Sequence, residues 1–290
     1  MISISPKPLL RKLPVPKLQR LPKWKSMSIN LGRLCVNGVI VLADTYSYRQ
    51  DGTAKKDGKI LHFDGKCLAF AIADASDDAN AAKTLLTTIG NRLASEASNW
   101  KEVETIVKAE MTDWHKAFKK APATLFTGGI LLKGKKPECR LYSLEPPRTV
   151  EIHSDGYVAN GAGSWITDLL SDLLYDGPNP AAHPQLALRE AIYLLYRADK
   201  ANVFCRGIDG YFINATEQRL QHLDVAEIKK AMSTAFQIDT VLSSAISVTL
   251  GGGQWLSHNA DSVRSLVMAC NKLRNTVFHD VTGQEICIPK

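Results

Sequence analysis

The chain has 290 residues, 45% of them hydrophobic and 22% charged, a composition that fits a soluble globular protein and excludes a wholly disordered or membrane-embedded one. Its formal net charge is +7, but residues 1–27 hold Lys7, Arg11, Lys12, Lys17, Arg20, Lys23 and Lys25 and no acid, which leaves 29 basic residues against 29 acidic in the remainder. The surplus charge describes a tail, and the neutral body argues against a nucleic-acid partner.

Residues 1–27 also contain Pro6, Pro8, Pro14, Pro16 and Pro22, whose rings remove backbone donors and block helix, so this stretch is expected to be a disordered basic extension. Three origins stay open for it: a basic arm, a propeptide or targeting segment, or an upstream start with Met27 as the natural first residue. Prolines and charges interrupt every apolar run, and none approaches the roughly 18–20 residues of a membrane span, so neither a secretory leader nor a membrane contact is expected. The six cysteines (Cys35, Cys67, Cys139, Cys205, Cys270 and Cys287) show no CxxC spacing and no nearby histidine pair. They read as reduced thiols of a cytoplasmic protein, with no metal site. No cofactor is implied, and no Gly-x-x-x-x-Gly-Lys-Ser/Thr phosphate loop occurs.

From Ile29 the pattern is β-like: a run to Cys35-Val36, a turn at Asn37-Gly38, then Val39–Ala43 ending at Asp44. Asn-Gly between apolar runs is a strong hairpin signal. A polar loop follows, then a second hairpin of Lys59–Phe63 and Cys67–Ala73 around Asp64-Gly65. Helical spacing covers Asp77 to about Ala97 and Trp100–Lys120, with Pro122 as a stop. Strands are expected at Leu125–Leu132, Cys139–Leu144, Thr149–Ile152 and Gly210–Ile213, and helices at about Ser164–Leu174 and Pro184–Ala198. Residues 215–290 read as a helical appendage, with helices at Asp224–Phe236, Asp239–Thr249 and Asn259–Arg274, a break at Gly251–Gly253, and a hairpin or docking tail from Val277 to Ile288. The layer order suggests two sheets with helices outside them.

The segment Gly38-Val39-Ile40-Val41-Leu42-Ala43-Asp44-Thr45 resembles the opening of proteasome β-subunits and the related bacterial heat-shock protease. Lys59-Ile60 with Phe63 is similar to that family's lysine strand, Ala69–Ala73 with Asp77 to its pocket strand and first helix, and Gly161-Ala162-Gly163-Ser164 to its Gly-Ser-Gly-Ser turn. Leu125–Leu144 resembles its paired strands around a glycine-centred turn. The order and near-correct spacing run from Ser28 to Asn214. The resemblance implies an α+β, four-layer α/β/β/α N-terminal-nucleophile (Ntn) hydrolase sandwich over residues 28–214, flanked by the 1–27 extension and the 215–290 appendage.

It also implies a site. Counting back from Gly38 and Asp44 places the nucleophile at Ser28, directly after Met27. Removal of that methionine would expose a hydroxyl and an α-amine on one residue, the amine acting as base with an ordinary pKa of about 7.7–8.0. By the same resemblance Lys59 keeps the site positive, Asp44 holds Lys59 charged and oriented, Asp199 lies beside the amine, and the Ala73 N–H is the oxyanion donor. Ala71 and Ala75 shape the substrate pocket, and Asn202 stands where the family has an accessory serine. The departures are serine for threonine at 28, alanine for glycine at 73, and Ala162 and Asn202 for two serines. The implied function is peptide-bond hydrolysis of unfolded protein or peptides, in a homo-oligomeric ring, with a regulator or unfoldase as a further partner. Two alternatives stay open: a structural or binding ring subunit that has lost the chemistry, and an Ntn amidase for small amides.

Read without the resemblance, Asp44 and Lys59 are an ordinary strand-end ion pair. Asp74, Asp77 and Asp78 after an apolar strand also fit a metal-dependent phosphatase, but the glycine-rich turn of such enzymes is missing and a helix N-terminus explains the acids. His62, His153, His183 and His258 stand alone, without ligand spacing.

Overall fold

The structure is a computed structural model and describes residues 28–48, 54–56, 58–76, 78–118, 124–153, 156–161, 164, 167–168, 182–200, 207–250 and 268. The expectations for residues 1–27, for most of the 164–174 helix and for the 251–290 tail apart from Met268 lie outside the described residues, as do those for Asp77, Ala162 and Asn202.

The first hairpin is β1 (Ile29–Cys35) and β2 (Gly38–Asp44). Cys35 pairs with Gly38, so the turn residues are Val36 and Asn37, one position earlier than expected. Asn37 takes a φ of 63°, a left-handed conformation that asparagine tolerates. Gly38 is needed for another reason: a Cβ there would lie 2.2 Å from the carbonyl oxygen of Ile213. In place of the polar loop, β3 (Tyr46–Tyr48) and β4 (Ala54–Lys56) form a short antiparallel ribbon. The second hairpin follows as β5 (Ile60–Asp64) and β6 (Leu68–Asp74).

Two helices come next, α1 (Ala79–Glu96) and α2 (Trp100–Ala117). Asp78 caps α1 by accepting from the N–H groups of Asn80 and Ala81. At α2 the Asn99 side chain accepts from Glu102 N–H at 3.1 Å, while the Glu102 carboxylate accepts from Ser98 N–H at 2.7 Å. These reciprocal bonds satisfy donors that a helix start leaves open. Strands β7 (Phe126–Leu132), β8 (Glu138–Glu145), β9 (Arg148–Ile152) and β10 (Tyr157–Gly161) follow. The described chain then forms α3 (Pro184–Lys200), β11 (Ile208–Asn214), β12 (Arg219–His222) and α4 (Val225–Leu250).

The major strands make two five-stranded antiparallel sheets, β10-β1-β2-β11-β12 and β5-β6-β7-β8-β9. Their cores follow from the two-residue alternation of strand side chains. Ile40 and Leu42 of β2 pack with Ala187, Ala191 and Leu195 of α3, while Val39, Val41 and Ala43 face Ala69, Ala71 and Ala73 of β6 in the other sheet. Phe70 and Ile72 turn the opposite way, towards Leu86 and Ile89 of α1 and Val103 and Val107 of α2. Both faces of β2 and β6 are thus covered, which explains why their sequences are continuous apolar runs rather than alternating ones. Each buried Leu, Ile or Phe contributes about 1.5–3 kcal/mol.

Small residues bring the sheets close together. Between them runs a polar seam in which the buried Asn30 donates to the Ala73 carbonyl at 2.9 Å and accepts from Thr127 Oγ1 at 2.6 Å. Asn160 Nδ2 donates to Phe126 O and Thr127 Oγ1, each at 3.0 Å. On the other face of β1 the buried Arg33 pairs with Glu190 of α3 at 2.6 Å and donates to the carbonyls of Leu34 and Gly156.

Three further elements differ from expectation. β10 was not anticipated, because Tyr157–Gly161 lacks alternation; its pairing with β1 makes it a strand. β12 pairs with β11, so the sheet continues past Ile213, the last strand residue expected. The two helices read over 224–236 and 239–249 form one helix, α4, because Gln237 and Ile238 do not interrupt helical backbone and Ile238 packs against Tyr193, Tyr196 and Ala235. Among the described residues no helix is long and apolar enough to cross a membrane.

Candidate active site

Ser28 stands just before β1, where Ile29 pairs with Gly161 of β10 and Asn30 pairs with Ala43 of β2. Asp44 ends β2 and Lys59 lies just before β5, so one strand start and one strand end of the first sheet meet the edge of the second. Lys59 Nζ donates to Ser28 Oγ at 2.6 Å and to Asp44 Oδ2 at 2.7 Å, and it also donates to the Tyr46 carbonyl. The three ammonium hydrogens therefore have three acceptors, which makes Lys59 a donor to the serine oxygen and not a receiver of its proton. The second Asp44 oxygen accepts from the Ile29 N–H at 2.9 Å, so one carboxylate orients both the lysine and the backbone next to Ser28.

These groups are shielded from water: the Asp44 side chain is 1% exposed and that of Lys59 6%. Burial pushes the Asp44 carboxyl up to about 6, against the opposing pull of the Lys59 ammonium. Gly161 fixes the position of Ser28 from the other side. It has a φ of 104°, and a Cβ there would lie 2.2 Å from the Ser28 carbonyl oxygen.

Beside Ser28 opens a cavity of about 290 Å³. Its walls include Lys59 and His62 from the β5 side, Asp74 and Ser76 from the end of β6, and Lys83 and Thr87 from α1. Asp74 Oδ1 accepts from the Ser76 N–H at 2.8 Å, and burial pushes the Asp74 carboxyl up to about 6 despite its bonds to Ser76. His62 stacks on Tyr211 at 4.5 Å between ring centroids.

The structure thus brings Lys59 into direct contact with both Ser28 and Asp44. Asp199 shares the wall of a separate cavity of about 30 Å³ with Ile29 and Asp44. Ala73 is fully buried and paired with Thr127. The neighbouring Ala75 N–H donates to the Leu125 carbonyl at 2.9 Å, and strand residues two apart address the same neighbour, so the Ala73 N–H is directed at β7 and not at Ser28. The Asp74 N–H donates to the Lys59 carbonyl, also at 2.9 Å. Ala71 lies in the core between the sheets and Ala75 is buried; neither lines the 290 Å³ cavity. Asn202 is outside the described residues.

The residues that do line the cavity had weak sequence signals. Lys83, Leu86 and Thr87 have i, i+3, i+4 spacing and so share one face of α1, which was legible, but nothing local said that this face meets Ser28. Asp74 read as part of a helix N-terminus, and Ser76 carried no signal. Among the described residues no group of three His, Cys, Asp or Glu side chains could hold a metal ion.

No family profile matches the chain, and no curated protein does. Solved structures do. The Gly-1 mutant of Anbu from Hyphomicrobium sp. strain MC1 superposes with a TM-score of 0.62 at 14% identity, over 76% of this chain and 96% of that one. Anbu from Yersinia bercovieri, an ancestral beta-subunit, gives 0.62 at 12% identity, over 76% and 97%. Anbu from Pseudomonas aeruginosa, seen in a helical assembly, gives 0.54 at 11% identity, over 74% and 95%. At these identities the likeness is one of fold, and the chain has the α+β fold of the Anbu proteins, with two five-stranded antiparallel sheets and four helices among its described residues.

Proposed function

We propose that this chain is a proteasome-like Ntn peptidase in which Ser28, once its α-amine is exposed, attacks the peptide carbonyl. The observation that carries this reading is the Ser28–Lys59–Asp44 contact set, a hydroxyl at the head of a strand held by a buried lysine that a buried carboxylate orients. With Lys59 donating, the base is the Ser28 amine itself, which takes the hydroxyl proton as the acyl-enzyme forms and delivers it to the leaving amine; water then releases the acyl group. We read the architecture as four layers, α3–α4, first sheet, second sheet and α1–α2. The hydrolase unit is 28–214, with the segment from 215 docked on it through β12 and α4, and residues 1–27 form an N-terminal extension. The Anbu helical assembly supports an oligomeric arrangement; with the sequence resemblance, we read it as a homo-oligomeric ring in the cytoplasm that acts on unfolded protein or peptides, with a regulator or unfoldase as partner. No cofactor takes part in the proposed steps.

A second reading, a structural ring subunit without chemistry, is favoured by the backbone donors next to Ser28. The N–H groups of Asp74, Ala75 and Ser76 are all engaged within the protein, and that of Ala73 is directed at β7. Among these described donors, the Ser76 N–H would serve an oxyanion only once Asp74 releases it.

Intact mass and N-terminal sequencing of protein from its natural context, followed by reaction with a peptide epoxyketone, separate the two readings. This warhead needs both a hydroxyl and an adjacent free amine. A chain beginning at Ser28 that gains one inhibitor mass, with no gain in Ser28→Ala, supports the peptidase. A chain that retains Met27 and stays unlabelled supports the structural subunit.

A further inference from the structure

The walls of the cavity beside Ser28 differ in charge. Lys59 and Asp74 are neighbours across the β5–β6 ladder: the Asp74 N–H donates to the Lys59 carbonyl at 2.9 Å, while the Lys59 ammonium donates to Ser28 Oγ at 2.6 Å. Side chains alternate along β6, and Phe70 and Ile72 pack towards α1, so Asp74 lies on that same face. There Leu61 of β5 and Leu86 of α1 form an apolar part of the cavity wall. The volume of about 290 Å³ far exceeds the roughly 30 Å³ share of one water and admits a side chain.

Asp74 is the acid of this wall, and it lacks a cation. Its Oδ1 accepts from the Ser76 N–H at 2.8 Å, and the Ser76 hydroxyl, which accepts from the Leu125 N–H, also bonds the carboxyl. Both donors are neutral. Among the described residues no ion pair reaches Asp74, and Lys59 is committed to Asp44 at 2.7 Å. Burial has raised the proton affinity of Asp74, and the charges of Lys59 and Asp44 act on it with opposite signs, the condition of a carboxylate short of positive charge. A partly desolvated carboxylate gains more from a cation than a fully solvated one does. Two other basic side chains line the cavity, Lys83 of α1 and His62 of β5. Both are exposed, so water and salt screen them.

We propose that the cavity beside Ser28 selects peptides with a lysine or arginine next to the scissile bond, its cationic head paired with Asp74 and its aliphatic stem laid along Leu61 and Leu86. This rests on the peptidase reading only in taking the cavity as the place where a substrate side chain enters.

The test uses the full chain carrying Ser28→Ala, which cannot turn the probes over, and three blocked peptides, acetyl-Ala-Ala-Ala-X-amide. X is lysine, 2-aminoheptanoate, in which a methyl replaces the ammonium, or glutamate. Titration followed by protein NMR should give the lysine peptide about tenfold tighter than the aminoheptanoate one, with the glutamate peptide weakest. Adding Asp74→Asn, which keeps an acceptor for the Ser76 N–H, should bring the first two within about twofold. Lys83→Gln should keep the lysine preference or increase it. The proposal is overturned if no peptide binds saturably, if the lysine and aminoheptanoate peptides bind alike, or if the lysine preference survives Asp74→Asn. It is equally overturned if the glutamate peptide binds tightest, which would assign the cavity to Lys83. Turnover by the wild-type chain is a separate readout. Lysine-selective binding without Ser28-dependent cleavage would remove the peptidase and leave this site, whereas Ser28-dependent cleavage of all three fluorogenic counterparts at equal kcat/KM would do the reverse.

Discussion

Lys59 Nζ lies 2.6 Å from Ser28 Oγ, although 31 positions separate the two residues in the chain. Asp44 holds that lysine at 2.7 Å from the other side, so the serine oxygen faces a positive charge whose direction is fixed by a buried carboxylate. Hydrogen bonds to ionised donors are roughly twice as strong as neutral ones.

On the peptidase reading, Ser28→Ala should abolish turnover of a fluorogenic peptide while shifting the thermal midpoint little, since Ser28 stands at a strand start and its side chain accepts one hydrogen bond among the described residues. Lys59→Ala should lower kcat by about 10²-fold or more, the usual size of a positioned proton-directing group. Equal peptide turnover in wild type and Ser28→Ala would remove the assignment.

Arg33 is fully buried and its guanidinium ties β1 to Glu190 of α3. Arg33→Ala strands a carboxylate that is 12% exposed and removes the guanidinium bonds to the Leu34 and Gly156 carbonyls, so urea unfolding should show a loss of about 3–5 kcal/mol. Arg33→Met combined with Glu190→Leu should recover much of that loss, because replacing both charges removes the uncompensated one. A double variant less stable than Arg33→Ala would show that the pair contributes net stability.

Gly161→Ala should disturb Ser28 specifically. The backbone there has a φ of 104° and the added Cβ meets the Ser28 carbonyl, so strain and displacement act together at about 1–3 kcal/mol. The expected outcome is a lower thermal midpoint together with loss of epoxyketone labelling. Unchanged labelling at an unchanged midpoint would mean that Ser28 is not held by this contact.

Asp74 gives a pH prediction. Its carboxyl titrates at about 6 in the folded chain against 3.8 ordinarily. Between these values the folded state holds a proton that the unfolded state has released, so this group's contribution to stability falls as pH rises from about 4 to 6 and is level above that. Asp74→Asn removes the titration, and its stability should decline less than that of wild type over the same window, by up to ~3 kcal/mol. Urea midpoints at pH 4 and 7 measure the difference. Asp44 shifts in the same direction and remains in both proteins, so parallel curves would mean that Asp74 is solvated.

Local chemistry carried much of the fold. The apolar runs of β1, β2 and β6, the polar pair at 64–65, and the helical spacing of α1 and α2 are written in consecutive residues, so their elements fell within a few positions of expectation. β10 and β12 were invisible because a short half-polar segment becomes a strand only when a neighbour offers its ladder. The first turn slipped by one residue because Gly38 is required by the passage of Ile213, a contact from the far end of the chain.

The sequence by itself determined the long apolar strands and the helices α1 and α2, that Ser28, Asp44 and Lys59 stand at the ends of such segments, and that surplus charge is confined to residues 1–27. Only the tertiary structure decided what those ends meet. It turned the Ala73 N–H towards β7 and placed Asp74 and Ser76 beside Ser28. The physical reason is that backbone preference acts over a few neighbouring residues, whereas strand pairing and the approach of two sheets set the direction of each N–H and side chain through partners tens of residues away.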